Sequence, residues 1–420
     1  MPALEAGEHV PRRHSARMTT ALHGSARAVA APLSGMLFTQ TSAVMSLVTV
    51  PVLATEIAGE TGLGASKVGL YTSLIFGAAM FTSAASGGVI QRLGPIRTNQ
   101  VALVFSATAL LLTLTANPWW IALSAVLIGA GYGPNTPSGS EVLSRVTPPR
   151  MRGLVYSIKQ SGAPLGAMAG GLVLPAMVAI GDWRMAVVTG ALIVYAAAIA
   201  VQPLRAQMDH GFRGANLPRR VSTVDAIRET LANPALRRLT VAAFVLMTVH
   251  TCFQTFTVAF LVEHVGLGLT LAGGLFATLA VAGALSRVAL GWLSDRLGRA
   301  REVLVTLSLA ASASCALAAS FTSTWTLAGL VLACAFAGIG SGGWYGVFLA
   351  EIARLAPPER VGLATGGALF FLYAAISIGP LVFTATVSVA GSYPVAFWLG
   401  AAVSLVATVN LLRIPETPGR

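Results

Sequence analysis

Two basic side chains stand inside apolar stretches of this sequence. Lys159 follows Arg152 by seven residues, and Arg287 precedes Asp295 by eight. At about 1.5 Å per residue, each would lie about 10–12 Å along a helix from its charged end. An ionisable side chain at depth in a bilayer costs about 2.5–3.5 kcal/mol on insertion scales, so it usually faces a cavity and marks function.

The chemistry that suits such a pair is the binding of an anion. The planar guanidinium of Arg287 can hold a carboxylate through two parallel hydrogen bonds, and Lys159 adds a point charge. If the two buried cations share one cavity, they repel each other unless an anion or an acid lies between them. We therefore expect both to bind an anionic substrate, a small carboxylate. The alternative is that Arg287 pairs with Glu351 or Glu141 and that Lys159 is a structural hydrogen-bond donor.

A histidine and a glutamine form a second polar pair. His250 lies near the middle of an apolar run, and Gln254 follows it by four residues. Imidazole titrates near neutral pH, so His250 is a candidate proton carrier, the alternative being a histidine satisfied by local hydrogen bonds. The sequence has no Ser/His/Asp arrangement, no acids paired at depth and no metal-ligand spacing of its cysteines. It therefore predicts no catalytic residue, no metal site and no cofactor.

The elements that must position these residues are membrane-spanning helices. The chain is 55% hydrophobic and only 10% charged, whereas a soluble domain is about 25% charged. Apolar stretches of about 20 residues, enough to cross hydrocarbon about 30 Å thick, recur along it. They predict an all-α integral membrane protein with twelve spans, at residues 31–56, 67–91, 98–116, 118–143, 152–180, 184–204, 236–262, 267–294, 302–320, 324–350, 360–388 and 392–413. Gly133-Pro134, Pro164 and Gly379-Pro380 are predicted bend points within spans.

The basic residues predict the orientation of the chain. The net charge is +12, and most Lys and Arg residues fall in the tails or in every second loop. This positive-inside pattern places both termini in the cytoplasm, in a multi-pass protein of the plasma (inner) membrane. It also argues against nucleic acid as a partner.

A long polar loop divides the spans into two sets of six. The predicted domains are an N-terminal cytoplasmic tail at 1–30, a six-helix bundle at 31–204, a central cytoplasmic loop at 205–235, a second six-helix bundle at 236–413 and a C-terminal cytoplasmic tail at 414–420. Within the central loop, 221–231 is predicted to form a short amphipathic helix.

The two halves repeat. Gly87-x-x-x-Gln91-Arg-Leu-Gly in the first half matches Gly291-x-x-x-Asp295-Arg-Leu-Gly in the second. Such duplication is typical of transporter folds, in which the substrate site lies near the midplane where the repeats meet. The sequence therefore predicts two pseudo-symmetric bundles around one site.

The second copy carries a family resemblance. Residues 291–301, Gly-Trp-Leu-Ser-Asp-Arg-Leu-Gly-Arg-Ala-Arg, resemble the signature loop of the major facilitator superfamily, between the second and third helices of each half. With twelve spans, a long central loop and the weaker copy at 87–97, the resemblance covers nearly the whole chain. It implies a monomer whose two six-helix bundles rock around a central cavity. The pattern from Arg287 to Arg296 also resembles the eighth helix of monocarboxylate-type members, in which the arginine is implicated in substrate binding.

The resemblance implies a gating role for the loop residues. The small Gly87 and Gly291 allow close helix approach. Asp295 could pair with basic groups of a neighbouring helix in one state and release them in the other. Gln91 stands where the family has an acid, which weakens the case for an ionic lock in the first copy. The further gating candidates are Arg92, Gly94, Arg296, Gly298, Arg299, Glu141 and Glu351.

The resemblance also brings the two cations together, because the fifth and eighth helices of this family meet between the halves. The glycine stripes 162/166/170 and 283/291 are expected at that contact. Three further polar residues stand on helices that line the cavity in this family. The predicted substrate-binding set is Arg287, Lys159, Gln40, Asn135, His250, Gln254 and Tyr345.

Two functions from one family compete. The leading interpretation is a secondary active transporter of a small organic anion by alternating access, with proton coupling as an open option; its partners are the substrate and the lipid bilayer. The alternative is an efflux exporter of drug-like compounds or metabolites, which the glycine-rich fifth helix would allow but which two buried cations disfavour for cationic drugs. A transporter-like sensor would need a signalling domain that the chain does not show, and an enzyme is not expected.

Overall fold

The computed structural model describes residues 26–61, 68–210, 222–322 and 324–414. Their principal elements are all α-helices, with short 3-10 turns between some of them. In chain order the helices are α1 (Ala26–Val52), α2 (Ala54–Thr61), α3 (Val68–Leu93), α4 (Pro95–Leu111), α5 (Pro118–Tyr132), α6 (Asn135–Val146), α7 (Arg152–Gln160), α8 (Gly162–Ile180), α9 (Trp183–Ala200), α10 (Arg205–Met208), α11 (Thr223–Ala232), α12 (Pro234–Glu263), α13 (Leu269–Leu297), α14 (Ala300–Ala319), α15 (Leu327–Gly342), α16 (Tyr345–Leu355), α17 (Val361–Ala390) and α18 (Tyr393–Leu412).

The twelve predicted spans are present. Eleven stretches of the described chain are long and apolar enough to cross a membrane. The remaining span is the fourth, in which α5 and α6 flank the turn at Gly133 and Pro134 and the first seven residues of α6 are mainly polar. The all-α, twelve-helix fold predicted from the sequence is therefore confirmed.

Local sequence explains where several helices begin. Asn117 accepts a hydrogen bond from the Trp119 amide at 2.9 Å, directly before Pro118, whose fixed φ suits a first helical position. Asp182 accepts one from the Met185 amide at 2.9 Å and starts the sixth span. Each such cap contributes about 1 kcal/mol.

Three spans are interrupted, and the interruptions free backbone carbonyls. The fourth breaks at Gly133 and Pro134, the fifth at Ser161, and the tenth at Gly343 and Trp344. In the bilayer every freed group needs a new partner, so such breaks persist only where other donors reach them. The predicted bend at Pro380 lies instead inside the unbroken α17.

In the fifth span the freed carbonyl can be traced to one residue. Pro164 has no N–H, so it cannot donate to the carbonyl of Gln160 four residues earlier. The Gln160 carbonyl is therefore left for another donor, and Arg287 of the eighth span donates to it at 3.3 Å.

The two halves meet along two seams related by the repeat. In the first, α3 packs on α17, and a Cβ at Gly87 would overlap Leu363. In the second, α7 packs on α13, and a Cβ at Gly291 would overlap Ser157 and the Gly153 carbonyl. We call these the second–eleventh and fifth–eighth seams. Both seams extend to the end of the protein that carries residues 92–97 and 296–301, which we call the basic end. The two halves are in contact there, so the basic end is closed in this structure.

A helix of the central loop covers this closed end. The predicted helix at 221–231 is found as α11, which begins with a reciprocal capping box between Ser222 and Asp225. Its buried Ala226 and Thr230 pack against α17, where a Cβ at Gly367 would overlap both of them. Because α11 also contacts α3, it spans the second–eleventh seam.

The predicted segment boundaries differ from the structure at their edges. The first helix begins at Ala26, inside the predicted tail, and the seventh span begins at Pro234, inside the predicted central loop. Residues 1–25, 211–221 and 415–420 lie outside the described chain.

Candidate functional site

Lys159 is almost completely buried at the end of α7. Its side chain is 1% exposed. Its ammonium donates to Gln40 Oε1 at 2.5 Å, to Gln160 Oε1 at 2.9 Å and, more weakly, to Thr136 Oγ1 at 3.4 Å. These three acceptors come from the first, fifth and fourth spans, so Lys159 holds the centre of the first bundle together without a carboxylate.

Arg287 is half-buried and bridges the two halves. Its Nε donates to the Gly342 carbonyl at 3.2 Å, at the break of the tenth span. Its Nη1 donates to the Gln160 carbonyl at 3.3 Å, at the break of the fifth span. A guanidinium has five N–H groups, so these two bonds leave part of its donor fork for a ligand.

Neither cation has an acidic partner among the described residues. Glu141 pairs with Arg145 at 3.1 Å, and Glu351 pairs with Arg354. The alternative that Arg287 pairs with Glu141 or Glu351 is therefore not what this conformation shows. The other alternative, Lys159 as a hydrogen-bond donor inside one bundle, matches its contacts.

His250 lies beside the same break in the tenth span. It hydrogen-bonds to the backbone of Ser341, whose carbonyl also accepts from Trp344 Nε1 at 2.9 Å. Its other ring nitrogen, Nδ1, is buried and has no hydrogen-bond partner among the described residues. Gln254, one turn further on, is exposed. The histidine thus belongs to the central site, whereas Gln254 is not shown to join it.

Aromatic rings complete the floor of the site. Tyr132 accepts a hydrogen bond from Gln40 Nε2 at 3.4 Å, and the Tyr345 phenol interacts with the side chains of Gln160 and Thr136. Arg287 lies within electrostatic range of three side chains, Tyr132, Tyr345 and His250. These contacts bring together five of the seven predicted substrate-binding residues: Arg287, Lys159, Gln40, His250 and Tyr345.

Asn135 is placed differently. Its amide donates to Asn99 Oδ1 at 3.2 Å and to the Thr39 carbonyl at 3.5 Å. Asn99 in turn donates to Thr39 Oγ1 at 3.3 Å. Asn135 is 1% exposed, so it sits in a polar network between the first, third and fourth spans.

The glycine stripes also need a correction. Gly291 lies at the fifth–eighth seam as expected, whereas Gly283 faces Gly338 of the tenth span. However, a Cβ at Gly162 or Gly166 would meet the first span, at Gln40 and Thr41 respectively, and Gly170 faces that span too. A stripe of small residues shows that a close neighbour exists and does not identify it, which is why the expectation failed.

Two carboxylates cap helix ends across the seams at the basic end. Asp295 of the eighth span accepts from the amides of Gly153 and Leu154 at 2.8 and 2.7 Å. Glu141 of the fourth span accepts from the Gly362 amide at 2.7 Å. Asp295 therefore meets backbone donors at a helix N-terminus, where negative charge is favoured, and not the basic side chains expected for it.

The first-half loop lacks an equivalent acid. Gln91 occupies that position, and its Oε1 is buried with no hydrogen-bond partner in the part of the chain that the structure describes. Glu141 supplies the cap of the eleventh span instead. The two seams are thus closed by carboxylates from positions that the repeat does not relate.

The remaining loop candidates lie at the surface of the basic end. Arg92 is exposed, Arg296 stacks over Trp292 at 5.2 Å, and Arg299 pairs with Glu302 at 3.1 Å. Gly94 and Gly298 adopt φ values of 86° and 64°, which favour glycine. The arginines thus make local contacts, and the glycines allow the chain to turn.

Sequence reasoning missed several members of the site. Gln160, Thr136 and Tyr132 lie next to the two cations, and Tyr373 and Phe76 pack against Tyr132. None of the five stood out by charge or motif. For Gln160 a signal existed, since Pro164 follows it by four residues and frees its carbonyl.

Comparisons with known proteins agree with this architecture. The family model described as Major Facilitator Superfamily matches residues 33–380 and 290–420. An uncharacterised MFS-type transporter of Mycobacterium tuberculosis (strain CDC 1551 / Oshkosh) is 27% identical over 372 residues, covering 87% of this chain and 80% of that protein. The multidrug resistance protein MdtG of Salmonella heidelberg is 28% identical over 152 residues, covering 36% of this chain and 38% of its own.

Solved structures show the same fold. The fucose:proton symporter FucP of E. coli superposes with a TM-score of 0.71 at 16% identity, over 93% of this chain and 98% of that one. The human organic anion transporter MFSD10 gives 0.72 at 15% identity, over 91% and 98%. A bacterial homologue of the iron transporter ferroportin, in an outward-facing state, gives 0.75 at 15% identity, over 92% and 98%.

Proposed function

Because this chain belongs to the major facilitator superfamily, and is a membrane transporter and not an enzyme, we propose that it carries a small organic anion, a carboxylate, by alternating access. The observation that carries the proposal is the central pair of cations. Within the described residues Arg287 and Lys159 share the acceptor residue Gln160, yet neither pairs with an acid. An anionic substrate supplies the missing charge.

The two cations take different roles in this proposal. Arg287 is half-buried and keeps unused N–H donors, so it contacts the carboxylate directly. Lys159 is saturated by three acceptors, so it adds positive potential and holds Gln40 and Gln160 in place. Such a division favours a monoanion over a dianion.

Alternating access requires the basic end to open. Opening must break the caps that Asp295 and Glu141 form across the seams, together with the bond from Arg287 to Gln160. We assign the gating role to these residues and to the close approaches at Gly87 and Gly291. We propose that the basic end faces the cytoplasm, in line with the positive-inside pattern, and that the protein works as a monomer in an inner membrane.

Proton coupling is assigned to His250 within the same proposal. Its Nδ1 has no partner among the described residues, and its ring lies within electrostatic range of Arg287. An anion on Arg287 would favour the protonated imidazole, which is the linkage that a symporter needs.

One observation favours the efflux alternative. An apolar cavity of about 210 Å³ lies between α12, α17 and α18, away from the cations. It is lined by phenylalanines 244, 253, 383 and 397 and by aliphatic side chains. A lipophilic substrate would suit it, and the local similarity to MdtG points the same way.

Ligand-induced stabilisation distinguishes the two functions. The purified protein would be unfolded thermally with monocarboxylates, dicarboxylates, neutral sugars and lipophilic cations. A ligand at 100 times its dissociation constant stabilises the folded state by about 2.7 kcal/mol, which is a measurable shift. The same panel would be applied to Arg287→Gln and to Arg296→Gln, an exposed arginine at the basic end that serves as the matched control.

The expected result is stabilisation by one class of carboxylate in the wild type and in Arg296→Gln, and none in Arg287→Gln. Uptake of that carboxylate into proteoliposomes would then establish transport. Stabilisation by lipophilic compounds in all three proteins, with no response to any carboxylate, would refute the anion site and leave efflux as the function.

A further inference from the structure

Four aromatic side chains, Phe76, Tyr132, Tyr345 and Tyr373, form what we call the aromatic floor. Tyr132 and Tyr345 lie within electrostatic range of Arg287, and the rings of Phe76 and Tyr373 contact that of Tyr132. The ring centroids of Phe76 and Tyr373 are 5.9 Å apart, and those of Tyr132 and Tyr373 are 6.1 Å apart. Phe76 and Tyr132 meet edge to face at 6.4 Å. These rings come from the second, fourth, tenth and eleventh spans, so the floor joins both halves of the protein.

Part of the ring surface of the aromatic floor is accessible and is not used in packing. Phe76, Tyr132 and Tyr345 are half-buried, although all three lie between the halves and not on the outer surface. Aromatic rings bind another flat ring through offset or edge-on contacts, which contribute beyond simple burial of area. A flat apolar body next to Arg287 is therefore the shape that this floor fits.

One hydroxyl of the floor has no partner. Tyr373 is 3% exposed, and its Oη makes no hydrogen bond within the described chain. Buried polar atoms are normally satisfied, so a lone one next to a binding site indicates a group supplied from outside. The Tyr373 hydroxyl can both donate to and accept from such a group.

The electrostatics of the site restrict the ligand further. Arg287 and Lys159 are positive, and the buried acids Glu141 and Glu351 are each paired with an arginine of their own helix. Since neither cation pairs with a carboxylate among the described residues, an ammonium group on the ligand would meet two like charges. The site thus disfavours zwitterionic amino acids.

We propose that the substrate is an aromatic carboxylate that carries a hydrogen-bonding ring substituent and no amino group. The proposal rests on the carboxylate carrier proposed above. The carboxylate binds Arg287, the ring lies on the aromatic floor, and the substituent bonds the Tyr373 hydroxyl. Tyr373 is thus a specificity-determining residue.

Matched ligands separate each part of the proposal. Apparent dissociation constants would be measured from thermal stabilisation for 3-(4-hydroxyphenyl)propionate, 3-phenylpropionate, 3-cyclohexylpropionate, propionate, tyrosine and 3-(4-hydroxyphenyl)propanamide. The hydroxylated aromatic acid should bind about tenfold more tightly than its phenyl analogue, as expected for one hydrogen bond to a buried group. Propionate, tyrosine and the amide should each bind at least tenfold more weakly than that acid.

Two variants test the residues. Tyr373→Phe should abolish the preference for the hydroxylated acid while leaving the ligand-free protein as stable as the wild type, because the hydroxyl has no partner to lose. Phe76→Leu should weaken 3-phenylpropionate and leave propionate unchanged. Phe105→Leu, at an exposed position on the third span, is the control for Phe76→Leu.

The outcomes distinguish this inference from the function beneath it. If propionate and 3-cyclohexylpropionate bind as tightly as the aromatic acids, and Arg287 is needed for all of them, the carboxylate carrier stands and the aromatic inference is wrong. If the amide binds as tightly as the acid, the carboxylate carrier itself is refuted. If Tyr373→Phe still prefers the hydroxylated acid, the assignment of Tyr373 as the partner of the ring substituent is wrong. If tyrosine binds as tightly as the hydroxylated acid, the exclusion of an amino group is wrong.

Discussion

Replacing Asp295 by Asn should open the basic end. The carboxylate accepts hydrogen bonds from two amides, Gly153 at 2.8 Å and Leu154 at 2.7 Å, at the first turn of α7. An asparagine keeps one acceptor oxygen and loses the charge, so one charge-assisted bond is lost, worth about 1.5–3 kcal/mol. If that bond exists only in the closed state, the ratio of closed to open protein should fall about tenfold to a hundredfold, since each 1.4 kcal/mol is a factor of about ten.

The opening can be measured as a distance between the halves. Spin labels would be placed at Arg150 and Glu302, which are exposed on opposite halves at the basic end, after the three buried cysteines are replaced by alanine. Pulsed electron–electron double resonance should show a second, longer distance between the labels, and its population should be larger in Asp295→Asn than in the wild type. Asp182→Asn is the matched control, because Asp182 caps a helix within one half.

Two results would refute this reasoning. One is an unchanged distance distribution in Asp295→Asn. The other is an equal change in Asp295→Asn and Asp182→Asn, which would indicate general loosening of helix ends and no specific role for the seam.

Three further predictions concern other contacts at the ends of the spans. Glu141→Gln should populate the same long distance, because it weakens the 2.7 Å bond to the Gly362 amide; no change in the spin-label distribution would contradict this. Gly291→Val should prevent closure, since a Cβ there would overlap the facing helix, and a closed-state distance like that of the wild type would show the reasoning to be wrong. Glu60 accepts from Arg184, which lowers the pKa of that carboxyl from 4.5 to about 2. The pair therefore stabilises the fold above pH 4.5, and this stabilisation is lost as the pH falls towards 2. The melting temperature of Glu60→Gln should fall less steeply between these pH values than that of the wild type. Parallel plots of melting temperature against pH would exclude the pair as a contributor.

The sequence predicted the fold because its signals are physical requirements of a bilayer. Long apolar stretches must be helical, and the repeat around Gly87 and Gly291 marked the two bundles and their seams. The same logic found Lys159 and Arg287, since a charge inside an apolar stretch is costly and rarely accidental.

The sequence was less informative about which neighbouring helix each side chain faces. Asn135 and the stripe at Gly162 were expected to face the cavity or the eighth span, but they pack inside the first bundle. A polar or small residue within a span indicates that another helix lies close to it. Which helix that is depends on the rotation of the span about its own axis, and this rotation is set by packing. The aromatic floor was missed for a related reason, because an aromatic residue in an apolar helix carries no signal of its own.

Arg287 links the proposed substrate to the conformational change. In the closed basic end its Nη1 donates to the Gln160 carbonyl, a bond that crosses the fifth–eighth seam and exists because Pro164 leaves that carbonyl free. A carboxylate bound to the unused N–H donors of the guanidinium would draw positive charge away from this bond. A ligand shifts a conformational equilibrium only through different free energies of interaction with the two states, and a weaker bond to Gln160 in the closed state provides such a difference. An anion on Arg287 would therefore weaken the fifth–eighth seam, which Asp295 also holds shut at Gly153 and Leu154, and this is the coupling that a carrier requires.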